Sequence, residues 1–355
     1  MIFISAQPDS IYFIWQLELQ LRNFNSLNID KKNIHVLIAF NPAIGLNPKF
    51  KSFIESHKNY AKFYFYPDMR VKQQYMSSIR PHILKQHFEK YPELRNETLF
   101  YHDSDILFSR IPRIYSYDGC NDCYVSDTRN YLDIDYIRRL GSTELLNKMA
   151  EVVGIEVEII ERNKHNTGGA QYVLNNIDST FWNKVEADSE QLFTLMLNYN
   201  IDFWEQNYPS QKQYRNKKNG IQAWCADMWA VLWNLWLCNK NVLIHSELDF
   251  SWPYSPIAEW NEKAIQHYSG NITEKSMYFK KHEYFNHSPW YDTSLLSIPN
   301  SNCSYKIVEL IIARKEELDM ERLFYFDSCI IFDGREYTQE QLSIFSTIKN
   351  YIQKN

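Results

Sequence analysis

The sequence predicts an α/β protein: a mostly parallel sheet with flanking helices, continued by a mainly helical C-terminal extension. Two observations carry this reading. Short, near-continuous apolar runs alternate with segments of helical periodicity in the first third of the chain. Such runs, closed by Pro, Asn or Asp, are the pattern of strands buried on both faces. The chain also has 355 residues, 45% hydrophobic and 23% charged. That is enough for a sizeable core, and the length suggests roughly two domains.

Ile2-Phe3-Ile4 reads as the first strand. Residues 11–24 follow with Phe13, Ile14, Leu17, Leu21 and Phe24 on one helical face and Glu18 and Arg22 turned away. Residues 34–40 form a second strand closed by Asn41-Pro42, and residues 63–66 a third closed by Pro67-Asp68. A helix spans residues 81–91, with Pro81 in its first turn, and residues 98–101 supply a fourth strand. Residues 221–238 are the most apolar stretch. Gln222, Asp227 and Asn234 interrupt it, and an Asp at mid-membrane costs at least ~2.5 kcal/mol, so it reads as a buried helix. Beyond Pro289, residues 307–318 are amphipathic, 323–332 read as strand-like and 339–352 as a helix.

Composition narrows the function. A net charge of -5 excludes a general nucleic-acid binder, and six cysteines are too few for a disulfide scaffold. With no signal peptide or anchor at Met1, the expectation is a cytoplasmic enzyme with reduced thiols and no transmembrane segment. The sequons at Asn96, Asn271, Asn286 and Asn302 are then chance matches. Aromatics reach 16%, with 25 Tyr and 10 Trp against 9 Gly, which suggests rigid stacking surfaces of the kind that handle sugars or bases.

Neither G-x-G-x-x-G nor G-x-x-x-x-G-K-[ST] occurs in the alternating segment, which argues against a Rossmann dehydrogenase and a P-loop NTPase. At the end of the fourth strand stands His102-Asp103-Ser104-Asp105-Ile106. Ligands of open α/β sheets bind beyond the C-terminal strand ends. Two carboxylates there can converge on Mn²⁺ or Mg²⁺ together with diphosphate oxygens.

The chain resembles a GT-A (Rossmann-like) glycosyltransferase, and within that fold the plant peptidyl-serine galactosyltransferase and hydroxyproline arabinosyltransferase group. The residues that carry the resemblance are Tyr12-Phe13-Ile14-Trp15-Gln16, Ile79-Arg80-Pro81, Asp103-Ser104-Asp105-Ile106 with Ile111-Pro112, Asn166-Thr167-Gly168-Gly169 leading into a helix, Trp224 with Asp227-Met228, and His267-Tyr268. It covers residues 1–290, divided into a nucleotide-sugar half (about 1–125) and an acceptor half (about 126–290), with 291–355 as a separate extension. It implies a nucleotide-diphosphate sugar donor held at Asp103, Ser104 and Asp105, with His267 as a third metal ligand. It also implies a glycan, lipid-linked glycan or peptide acceptor.

Each candidate also has a plainer reading. Arg80 suits phosphate, or is a solvated helix-start residue. Tyr75 either stacks on a nucleobase or is one more packed tyrosine. Gly168 and Gly169 line the donor-sugar pocket or make a turn. Asp227 is the one formal charge between Gly220 and Asn239, so it needs a partner or a cavity. It is either the base that deprotonates the acceptor in an inverting reaction or half of a structural ion pair. Cys120-x-x-Cys123 lacks a second pair at zinc spacing. The cluster Lys212, Arg215, Lys217, Lys218 reads as a solvated loop or a lid over the diphosphate. The extension caps the catalytic unit, forms a dimer or makes a peripheral membrane contact. The rival functions are a nucleotidyltransferase of similar architecture, although Ser5-Ala6-Gln7-Pro8 is neither Gly-rich nor basic, and a non-catalytic sugar-binding protein.

Overall fold

The computed structural model describes residues 1–114, 121–216, 218–270 and 272–332, with side chains in its final helix as far as residue 321. The strands are β1 (Ile2–Pro8), β2 (Ile34–Phe40), β3 (Lys62–Pro67), β4 (Leu99–Tyr101), β5 (Ile106–Phe108), β6 (Asp122–Asp127), β7 (Gly168–Leu174), β8 (Asn241–Ile244), β9 (Phe250–Ser251) and β10 (Ile265–His267). The helices are α1 (Ile11–Ser26), α2 (Pro48–His57), α3 (Ile79–Lys90), four short ones α4–α7 (Arg129–Leu132, Ile134–Leu140, Thr143–Val153, Val157–Asn163), α8 (Ser179–Asn207), α9 (Ala226–Leu237), α10 (Ala258–Glu262) and α11 (Ser304–Phe332).

Seven strands form one sheet in the order β3-β2-β1-β4-β7-β6-β8. All neighbours are parallel except β7, which is antiparallel to both β4 and β6. The apolar runs are continuous because both faces are covered. Ile2, Ile4 and Ala6 of β1 share a core with α3, α8 and α9, while Phe3 between them packs with Leu17, Leu21 and Phe24 of α1. The apolar stretch 221–238 becomes α9 after a short 3₁₀ turn, with Trp229 and Trp233 fully buried. Among the described residues no helix is long and apolar enough to cross a membrane. No disulfide joins the described Cys123, Cys225, Cys238 and Cys303.

A second sheet, β5-β10-β9, leaves the first directly after β4. β10 runs antiparallel to β5, with His267 opposite Ile106. The start of the extension belongs to this region. Ile307, Val308 and Ile311 share a core with Trp15 and Leu19 of α1, and the guanidinium of Arg314 meets the carboxylate of Glu18. The strand-like reading of residues 323–332 is corrected: α11 runs through Phe332. β-branched and aromatic residues there imitate a strand, but from Ser304 to Phe332 no Gly or Pro stops the helix. Residues 339–352 lie outside the described residues.

Burial has a consequence for pH. The Tyr66 hydroxyl stands 2.6 Å from His87 Nδ1, and His87 Nε2 stands 3.2 Å from His35 Nδ1. This chain is complete with both rings neutral: Tyr66 donates to His87, and His87 to His35. Burial, followed by the Lys62 charge, pushes His35 down to about 4; burial, followed by His35, pushes His87 down to about 3. An unfolded imidazole takes its proton near pH 6.5, so the folded state binds fewer protons below that value. Stability should therefore be complete above pH 6.5 and fall from 6.5 down to about 4 for His35 and about 3 for His87, by about 2 kcal/mol per ring at pH 5. Urea midpoints at pH 7 and pH 5 check this. Equal midpoints would contradict the neutral pair.

Candidate active site

The Asp103-Ser104-Asp105 turn joins the two sheets. β1, β4, β6 and β8 run in one direction, so their C-terminal ends and the start of β7 share one edge. β4 ends there, and the His102 amide donates to the carbonyl of Ile4 at 3.1 Å. β5 then departs to pair with β10, and the Tyr268 amide donates to the Asp105 carbonyl at 3.1 Å. This pairing brings His267 to the two acids. Its Nε2 stands 3.3 Å from Asp105 Oδ1 and 3.6 Å from Asp103 Oδ2. One ligand atom from each of the three residues lies within 4.8 Å of the others. Helix α1 fixes the turn from below: Gln20 Nε2 donates to the Asp103 carbonyl at 2.9 Å, and Ser104 Oγ donates to Gln16 Oε1 at 3.2 Å.

Two partly buried cations neutralise this corner. Lys281 Nζ donates to Asp105 Oδ2. Burial alone would raise the Asp105 carboxyl, but the Lys281 ammonium and then His267 reverse this and hold it well below the usual carboxylate range. The reciprocal balance acts on Lys281, where burial lowers and Asp105 raises, leaving the ammonium above its ordinary value. Arg80 bridges the other acids, with Nη1 on Asp103 and Nη2 on Asp227. Its desolvation is outweighed by Asp227, Tyr101 and Asp103, so it stays firmly charged.

Asp227 thus has a partner for each oxygen. Oδ2 takes Arg80, and Oδ1 lies 2.6 Å from the Tyr75 hydroxyl, which is also 2.5 Å from the Trp224 carbonyl. The expected stacking of Tyr75 on a nucleobase is corrected. Its ring is buried and stacked on Phe193 at 4.8 Å, and burial followed by Asp227 pushes its phenol up. Tyr75 serves as a prop for Asp227.

The expected helix after Gly168-Gly169 is also corrected, because the pair opens β7 between β4 and β6. Close approach explains both glycines. A Cβ on Gly168 would lie 2.3 Å from the Ser126 carbonyl, and one on Gly169 would lie 2.7 Å from the Tyr172 hydroxyl. Gly168→Ala should cost about 1–3 kcal/mol, since Ser126 and Val125 belong to β6, which is held between β7 and β8. Chemical denaturation reads this, and an unchanged midpoint would refute it.

Sequence reasoning missed Lys281, whose charge lies in an unremarkable Lys-Lys-His run, and the bracing roles of Gln20 and Gln16. Gln16 did fall inside a quoted motif, but for a different reason. In the basic loop, Arg215 donates to the Tyr208 and Pro209 carbonyls, a local structural use. Lys217, Cys120 and Asn271 lie outside the described residues.

No family model matches the chain, and no curated protein matches it. The resemblance to the plant galactosyltransferase and arabinosyltransferase group therefore stands on the sequence motifs alone. Among solved structures, the apo structure of the WbbM bifunctional glycosyltransferase is similar over 87% of this chain, at 11% identity and a TM-score of 0.42. The match covers 51% of that protein, so the chain spans about half its length. Residues 1–349 of S. aureus TarS are similar over 65% of this chain and 81% of their own length, at 13% identity and a TM-score of 0.26.

Proposed function

We propose that this protein is a glycosyltransferase that moves a sugar from a nucleotide-diphosphate donor to a hydroxyl acceptor. In this reading Asp103, Asp105 and His267 hold Mn²⁺ or Mg²⁺. The observation that carries it is the meeting of these three side chains at the C-terminal edge of a mostly parallel sheet. The donor set fits a divalent cation of this class: two carboxylates and an imidazole whose Nε2 faces both of them. When bound, the ion neutralises the diphosphate and stabilises it as a leaving group. The chain's own residues do the rest. Arg80 orients Asp103 and Asp227, α1 holds the turn, and Lys281 neutralises Asp105. Residues 1–290 form the catalytic unit in this proposal, with the nucleotide-sugar half at about 1–125 and the acceptor half at about 126–290. Glycans, lipid-linked glycans and peptides are the acceptor classes, and a hexose or pentose the transferred group.

Incubation with a nucleotide-sugar panel and Mn²⁺ tests the reading. Release of nucleoside diphosphate, abolished by chelation, is the expected result. Release of pyrophosphate from a nucleoside triphosphate and a sugar phosphate would point instead to a nucleotidyltransferase. Sugar binding with no release from any donor would leave a non-catalytic sugar-binding protein.

A further inference from the structure

A cavity of about 430 Å³ opens next to His267. Its volume is typical of small-ligand sites, which span roughly 300–1,000 Å³. Tyr131, Phe250 and Trp252 form its aromatic lining. The Phe250 ring meets the His267 imidazole edge-on at 5.1 Å, and the Trp252 ring lies nearly parallel to it at 5.8 Å. Tyr131 is near enough to Asp103 that, after burial and Cys225, this acid helps push its phenol up. The cavity therefore abuts the metal corner without using any of its ligands.

The charges in the lining identify the occupant. Arg129 clamps Asp127, with Nε at 3.0 Å from Oδ1 and Nη2 at 2.5 Å from Oδ2. Lys263 is held by Glu259 at 2.7 Å and by the Phe250 carbonyl at 3.3 Å. Both cations are thus paired with carboxylates. Asp249 has no ion-pair partner among the described residues, and its carboxyl is pushed up by burial, against which the Asp127 amide acts. Lys263 and Arg129 act on Asp249 only at a distance, and a half-buried carboxylate outside any ion pair accepts hydrogen bonds from hydroxyls. Aromatic rings meanwhile cover apolar C–H surface. A molecule offering C–H faces and a rim of hydroxyl donors is a sugar ring.

We infer that this cavity is the acceptor subsite and that the acceptor is a saccharide. Its hydroxyls meet Asp249, and its C–H surface meets Tyr131, Phe250 and Trp252. The assignment rests on the glycosyl-transfer reading, because it names the substrate class for the same metal corner.

The test uses the full chain with Mn²⁺ and saturation-transfer NMR on methyl glycosides of glucose, galactose and N-acetylglucosamine at millimolar concentration. UDP, GDP and ADP are titrated in parallel. At least one glycoside should bind, and Trp252→Ala and Asp249→Ala should each weaken it by at least about tenfold. Nucleotide affinity should change less than about twofold in Asp249→Ala. Trp252→Phe, which keeps an aromatic wall, should retain most of the binding and guards against a folding defect. Three results would overturn the inference: no glycoside binds, a serine-containing tripeptide binds in their place, or Trp252→Ala removes only the extra affinity of a nucleotide-sugar over its nucleotide. The last would give the cavity to the donor's own sugar. Absence of nucleotide binding in the unaltered protein would sink the glycosyl-transfer reading by itself, leaving the glycoside measurement to stand or fall separately.

Discussion

Asp103→Ala should lower metal-dependent nucleotide affinity by more than about 100-fold, because even outer partners of metal ligands are commonly worth 10–100-fold. The protein should stay folded. Arg80 keeps its bond to Asp227 when Asp103 is removed, so no charge is stranded. Asp105→Ala should lose as much affinity but also some stability, since it leaves buried Lys281 without its carboxylate. Calorimetry in Mn²⁺ and a melting curve on both variants separate the effects. A folded Asp103→Ala protein that binds nucleotide as tightly as the parent would remove Asp103 from the metal site.

Asp227→Asn is the second variant with a large expected effect, and here stability should respond first. Breaking a buried charge pair costs about 3–5 kcal/mol when the partner is left uncompensated. Arg80 retains Asp103, so its charge is not stranded and the loss should be smaller, about 1.5–3 kcal/mol, the worth of a hydrogen bond to a charged group. If Asp227 is instead a positioned base, turnover should fall by roughly 10²–10⁴ with the fold intact. The geometry favours the first outcome, because both oxygens are already engaged by Arg80 and Tyr75. A variant with unchanged melting temperature and strongly reduced turnover would reverse that assignment.

What was legible in the sequence follows from the range of the forces involved. The first four strands and α1 announce themselves through local apolar periodicity, and the Asp103-Ser104-Asp105 turn through its place after β4. Arg80, Asp227 and His267 were each singled out, but their relations were not. The bond between Arg80 and Asp227 spans 147 positions and that between Lys281 and Asp105 spans 176, which no local pattern encodes. Gly168 and Gly169 were informative through close approach: β6 meets Gly168, while the Tyr172 hydroxyl and Met228 meet Gly169. Tyr75 misled because one tyrosine among many carries no mark of burial. The aromatic cavity went unseen because Tyr131, Asp249 and Trp252 occupy separate segments.

Helix α1 has opposite obligations on its two sides. Gln16 and Gln20 hold the turn that carries the acids, while Trp15 donates through its indole N–H to the Tyr284 carbonyl and packs with Ile307, Val308 and Ile311. Glu18 meets Arg314. The last described helix therefore acts as a splint on the Asp103-Asp105 corner, reaching it through a single intermediary. A chain shortened before Ser304 would keep every strand of the large sheet yet bare the Trp15 side of α1, and the slack would appear where Asp103 and Asp105 must stand still. Tolerance to change in α11 would then be set by how accurately the corner must be held, well away from any residue that touches a substrate.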